Sequence, residues 1–133
     1  MPFGIGLPAG IGRAAIVNFI YNAINRKTIT VHRDSERSWC WVGDTARGIR
    51  MVIESGQQGI YNVGRIDNFV SMQKVAEIAC DLAGASYDLI EMIDAPKNQT
   101  KIKRLSNQKL IDLGWEPKIG LEQGMKIIYE HLK

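Results

Sequence analysis

Cysteine is scarce: Cys40 and Cys80 are the only two in 133 residues, each inside an apolar pattern and at no paired spacing. A disulfide framework is therefore excluded, and both are expected to be buried free thiols in a reducing cytoplasm. Long apolar runs are missing as well. No stretch approaches the length of a membrane span, so no membrane partner is expected. The opening MPFGIGLPAGIGR lacks the basic start and unbroken apolar core of a secretion signal. Internal repeats, low-complexity tracts and long linkers are also absent. At 45% hydrophobic, 23% charged and 8% aromatic, the composition is that of an ordinary globular protein. The length suits one domain, residues 1–133, with a real core.

Acidic residues are missing from one place in particular. Lys97 to Lys109 (KNQTKIKRLSNQK) holds five cations and no acid, in a chain of net charge +3. Asn25 to Arg37 is also rich in bases. Solvated surface explains any single lysine. A phosphate-bearing ligand is the more specific reading of the clusters. Nucleic acid is not an expected partner, because the aromatics fall in core-like patterns rather than in an exposed stacking series between cations.

Helical and strand patterns alternate, which predicts an α/β class, or α+β in isolation. Apolar spacing predicts helices over Gly12–Asn25, Thr45–Glu54, Met72–Ala83 and Leu121–Leu132. Asp44 and Ser71 are read as helix caps, and Gly56 and Gly84 as stops. A short helix is expected between Ser106 and Gly114. Strands are predicted at Thr28–His32, Ser38–Val42, Gly59–Gly64 and Leu89–Ile93.

The run Gly6-Leu-Pro-Ala-Gly10-Ile-Gly12 imitates a dinucleotide-binding turn. Such a turn must leave the end of a buried strand so that a pyrophosphate meets the helix N-terminus. Only Met1 to Ile5 precede it, with Pro2 and Gly4 among them, so no full strand fits. A glycine-rich loop entering a helix is the expected reading. Tyr21, Tyr61 and Tyr87 are followed four places on by Asn25, Arg65 and Glu91, and only Tyr129 by a lysine, Lys133, at the extreme C-terminus. No catalytic pair, metal site or cofactor site is assigned to this chain.

One stretch poses a specific question. RSWCWVGDTARG, from Arg37 to Gly48, sets an arginine at the head of an apolar strand, and arginine is rarely buried without a partner. ERSWCWVGDTARGI resembles the Arg-Asp-Phe/Trp-x-Tyr-Val-x-Asp segment of the extended short-chain dehydrogenases, the NAD-dependent epimerases and dehydratases of nucleotide sugars. PFGIG resembles their turn out of the cofactor domain, and GIYNVG their Tyr-Asn-x-Gly strand. KRLSNQKLIDLGWEPKIGLEQGM resembles their tail. The ordered set covers the whole chain and resembles the C-terminal, substrate-binding lobe with the last strand and helix of a Rossmann-like domain.

The resemblance implies that Arg37 contacts the diphosphate of a nucleotide sugar, a task that suits the two parallel donors of a guanidinium. Trp39 and Trp41 would pack around it. It also implies a nucleotide-base ledge at Thr30 and His32, and a small polar residue near the phosphates at Ser71, where capping alone is an equal explanation. Lys101 and Arg104 are candidates for a second phosphate contact or for solvated charge. The arginine that usually follows the strand ending near Ile93 is replaced by Asp94-Ala95-Pro96. NAD(P) and the catalytic residues are implied for a parent enzyme, upstream of Met1, so this chain is expected to be inactive alone. A helix and a strand left without their sheet predict a homo-oligomer. A stand-alone, non-catalytic binder of a nucleotide sugar or other phosphorylated metabolite is the alternative function.

Overall fold

The structure is a computed structural model that describes residues 1–6 and 14–133. Most of the glycine-rich turn, with Gly10 and Gly12, and the predicted start of the first helix lie outside the described residues. The elements run β1 (Pro2–Phe3), α1 (Ala15–Ile24), β2 (Ile29–His32), β3 (Glu36–Ser38), β4 (Cys40–Trp41) and α2 (Val42–Glu54). There follow β5 (Phe69–Ser71), α3 (Met72–Ala83), a single 3-10 turn at Tyr87–Leu89, β6 (Ile90–Ile93), β7 (Ile102–Lys103), α4 (Gln108–Asp112) and α5 (Leu121–Leu132). The alternation of helix and strand, with three of the four strand pairings parallel, bears out the α/β reading.

The main core forms where helical periodicity meets strand alternation. In α1, Ile16, Val17, Phe19, Ile20 and Ala23 turn to one side and are buried. They meet Val75, Ala76, Ile78, Ala79 and Cys80 of α3 and Leu121, Met125 and Ile128 of α5. In β2, Ile29 and Val31 point into this core. The alternation of the strand turns Thr30 and His32 to the other face. β2 pairs in parallel with β6, Ile29 opposite Ile90 and His32 opposite Ile93. β3 is the centre of a three-stranded sheet, antiparallel to β5 and parallel to β7. At Gly124 of α5 an added Cβ would fall 2.5 Å from the Phe3 ring and 2.9 Å from Trp41. Only glycine lets that helix lie against the aromatic pair.

The helices over Met72–Ala83 and Leu121–Leu132 fall where the sequence puts them. Ser71 caps α3, its Oγ accepting from the Lys74 backbone N–H at 3.1 Å, and Gly84 ends that helix at φ 56°. Three expectations are corrected. The strand expected over Ser38–Val42 is instead two short strands, and α2 already starts at Val42. Asp44 is therefore not a cap but a residue of the first turn. GIYNVG forms no strand: residues 60–63 carry no regular structure and pair with nothing among the described residues. Its strand-favouring composition is real, but a strand also needs a neighbouring strand, and none pairs with it among the described residues. β1, β5 and β7 went unread because each has only two or three residues.

Asp44 has a different role. It is completely buried, and its Oδ2 accepts the backbone N–H groups of Lys118 and Ile119, each at 3.0 Å. Arg47 Nη2 lies 2.7 Å from its Oδ1, an ion pair that falls short of hydrogen-bond geometry. The Trp115 indole N–H donates to the Asp44 carbonyl at 3.0 Å. Together these tie α2 to the turn before α5. Behind them Cys40, Leu110 and Trp115 form a second, smaller core.

Candidate functional site

The largest concentration of predicted site residues surrounds one cavity of about 390 Å³. Thr30 and His32 reach it from β2, Arg37 from β3, and Lys103 from β7, with Trp39 and Gln99 completing much of the wall. β3 and β7 run parallel with Arg37 opposite Lys103, so two cations stand side by side. No acidic residue is among those that line the cavity. An acid-free recess with two cations in its wall attracts anions, and low-dielectric walls strengthen the field.

Arg37 is only 5% exposed, yet its charge is not bare. Nη1 donates to the carbonyls of Glu36 at 2.8 Å and Lys101 at 2.5 Å, and Nη2 to that of Thr100 at 2.8 Å. Burial lowers its pKa from the ordinary arginine value. The partners that permit a buried arginine here are therefore backbone carbonyls of the 100–101 segment, which Arg37 draws against β3. Trp39 is buried beside it. Phe3 meets Trp39 edge-on at a centroid distance of 6.1 Å and Trp41 at 5.5 Å. Two buried polar atoms at this wall, Ser35 Oγ and Trp39 Nε1, have no hydrogen-bond partner among the described residues.

The Met1 amine also lies at the cavity and donates to the Ser38 carbonyl. Its pKa is lowered, first by burial, and Arg37 and Lys103 push in the same direction against an opposing effect of Cys40.

The other predicted residues stand apart. Ser71 lines a smaller neighbouring pocket that shares His32 and Ser35 with the first. Its hydroxyl is occupied in capping α3. Lys101 turns away to Asp34, 3.5 Å distant. Arg104 lies over the Phe69 ring, 5.4 Å from its centroid, as a cation–π pair. Asn62 donates to the Ser106 carbonyl at 3.0 Å and so joins two loops. Lys103, Gln99 and Ser35 were missed. The signal available for Lys103 was its place in the acid-free cluster, one residue beyond an apolar Ile102 and two beyond Lys101.

β1 has two residues, and the turn beyond it is outside the described part. Among the described residues no three His, Cys, Asp or Glu side chains are grouped to hold a metal ion. No described helix is long and apolar enough to cross a membrane.

No family model matches the sequence. Individual proteins do. UDP-glucuronic acid decarboxylase 6 of Arabidopsis thaliana is 28% identical over 120 residues, which is 89% of this chain and 35% of that protein. The fold matches UDP-glucose 4-epimerase of Thermotoga maritima, solved with UDP-glucose, at a TM-score of 0.87 and 19% identity, over 98% of this chain and 42% of that one. It matches the dTDP-glucose 4,6-dehydratase of Streptomyces venezuelae, solved with NAD and TYD, at 0.81 and 22%, over 97% and 40%. The chain spans about a third of the length of the known relatives it matches. By sequence and fold it is a relative of the NAD-dependent epimerases and dehydratases, the extended short-chain dehydrogenases, and corresponds to a part of them.

Proposed function

We propose that this chain is the nucleotide-sugar-binding portion of an NAD-dependent epimerase or dehydratase, and that it does not turn over substrate by itself. The observation that carries the reading is the acid-free cavity with Arg37 and Lys103 side by side in its wall. A diphosphate brings at least two negative charges, which two cations in a partly dry recess can offset. Thr30 and His32, on the solvent-facing side of β2, form the ledge for the nucleoside. Lys103 is exposed and supplies the mobile charge for a phosphate. Arg37 contributes its field and holds the Thr100–Lys101 backbone that brings Lys103 to the cavity.

Titration calorimetry of the chain with UDP-glucose, UDP and uridine tests this. UDP and UDP-glucose are expected to bind and uridine to bind far more weakly. Lys103→Ala should weaken UDP binding by about 1–2 kcal/mol, the order lost with one charge-assisted contact, and leave the fold intact. Equal affinity for UDP and uridine would remove the phosphate reading. Steady NAD-dependent conversion of UDP-glucose by the isolated chain would remove the claim of inactivity.

A further inference from the structure

Beside the cavity lies a second recess of about 320 Å³, and the two share His32 and Ser35 as a common wall. Their linings are opposite in charge. The cavity has Arg37 and Lys103 and no acid. The recess has Asp34 and Glu36 and no lysine or arginine. The two acids are not equivalent. The Asp34 side chain is 77% exposed, with Lys101 lying 3.5 Å from it. Glu36 is half-buried, and its carboxylate has no hydrogen-bond or ion-pair partner among the described residues.

β3 accounts for the contrast. Strand alternation turns Glu36 and Arg37, neighbours in the chain, to opposite faces. Glu36 is the first residue of β3 and stands opposite Ser71 of β5 and Ile102 of β7. Its recess and the cavity therefore meet around the head of the strand, at Ser35. Ser35 is 3% exposed and its Oγ has no partner among the described residues. Buried hydroxyls are seldom left unpaired, and this one stands where the two recesses join.

A ligand that suits both recesses is anionic at one end and donates hydrogen bonds at the other. For a bound nucleotide sugar, the anionic end is the diphosphate. The other is the nucleobase, on the ledge of Thr30 and His32. An ionised carboxylate only accepts, so it sorts bases by their edges. Uracil and thymine set one N–H between two carbonyl oxygens, which a carboxylate repels. Adenine and cytosine set one amino group beside an acceptor nitrogen. Of the common bases only guanine sets a ring N–H and an amino group side by side, two parallel donors for the two oxygens of one carboxylate. His32 offers the ring a flat face, and Met92 and Ile102 offer apolar ones.

We propose that Glu36 reads the base and selects guanine, so that the ligand of this chain is a guanosine diphosphate sugar. This selection rests on the reading of the chain as a nucleotide-sugar binder and adds the base to it.

Titration calorimetry of the chain with GDP, IDP and UDP is the test, since IDP differs from GDP only in lacking the 2-amino group. GDP is expected to bind about tenfold or more tighter than either, the order given by one bidentate contact to a base edge. Glu36→Gln replaces one acceptor oxygen with an amide donor. It should weaken GDP binding by about tenfold and leave UDP binding and circular dichroism unchanged. Equal affinity of the unaltered chain for GDP and IDP overturns the proposal whether or not the variant folds. So does a folded Glu36→Gln chain that keeps its preference for GDP. UDP binding as tight as GDP binding removes the choice of base and leaves the diphosphate reading standing. Failure of all three nucleotides to bind removes both.

Discussion

Asp44 shows how much of a residue's role is decided by partners remote in sequence. A carboxylate near a helix start is legible, since it favours the positive end of the dipole. That it would serve Lys118 and Ile119 was not, because no local pattern connects positions more than seventy apart. Asp44→Ala strands two backbone donors and unpairs Arg47. It should cost about 3 kcal/mol in urea unfolding, the order expected for breaking a buried charged group's contacts. Asp44→Asn keeps one acceptor and should cost less. Cys40 and Cys80 give a pH signature. Burial is the main cause that raises both thiols above their ordinary value of 9.0, so folding favours the protonated form. Their contribution is therefore full below pH 9.0 and is lost as the pH climbs through the raised folded values. Stability measured from pH 8 to 11 should fall at the alkaline end, and fall less in a Cys40→Ala, Cys80→Ala double variant compared with its own value at pH 8.

Elements divide cleanly into those with local signals and those without. The helix over Met72–Ala83 announces itself through a serine cap, a buried stripe and a glycine stop. The closing helix does so through periodicity alone. Strand formation in GIYNVG was read from composition, and composition cannot supply a neighbour. Residues 57–64 should consequently lose amide protection first in hydrogen exchange, while α1, α3 and β2 hold it longest. Uniform protection across the chain would contradict this. Close contact between elements also makes a prediction. Gly124→Ala drives a methyl group into Phe3 and Trp41 and should cost about 1–3 kcal/mol in thermal unfolding.

At the scale of the molecule, the family resemblance was legible because its pieces occur in order along the chain. The relatives and structural neighbours agree with it. Half of the site was legible too: Thr30, His32 and Arg37 meet at one cavity, while Lys101 and Arg104 are drawn off by Asp34 and Phe69. Lys103 and Gln99 reach the cavity only because β7 lies along β3, a parallel pairing that no local rule announces.

That same pairing sets a timetable for synthesis. Arg37 leaves a ribosome more than sixty residues ahead of Thr100 and Lys101, whose carbonyls receive most of its charge. Until those emerge, burying the guanidinium would strand a charge without partners. The nascent chain must therefore keep β3 open to water until the Thr100–Lys101 segment emerges. Cotranslational closure of the cavity waits for the Thr100–Lys101 segment, so a ribosome stalled before residue 100 should hold Trp39 in a solvent-quenched, red-shifted state.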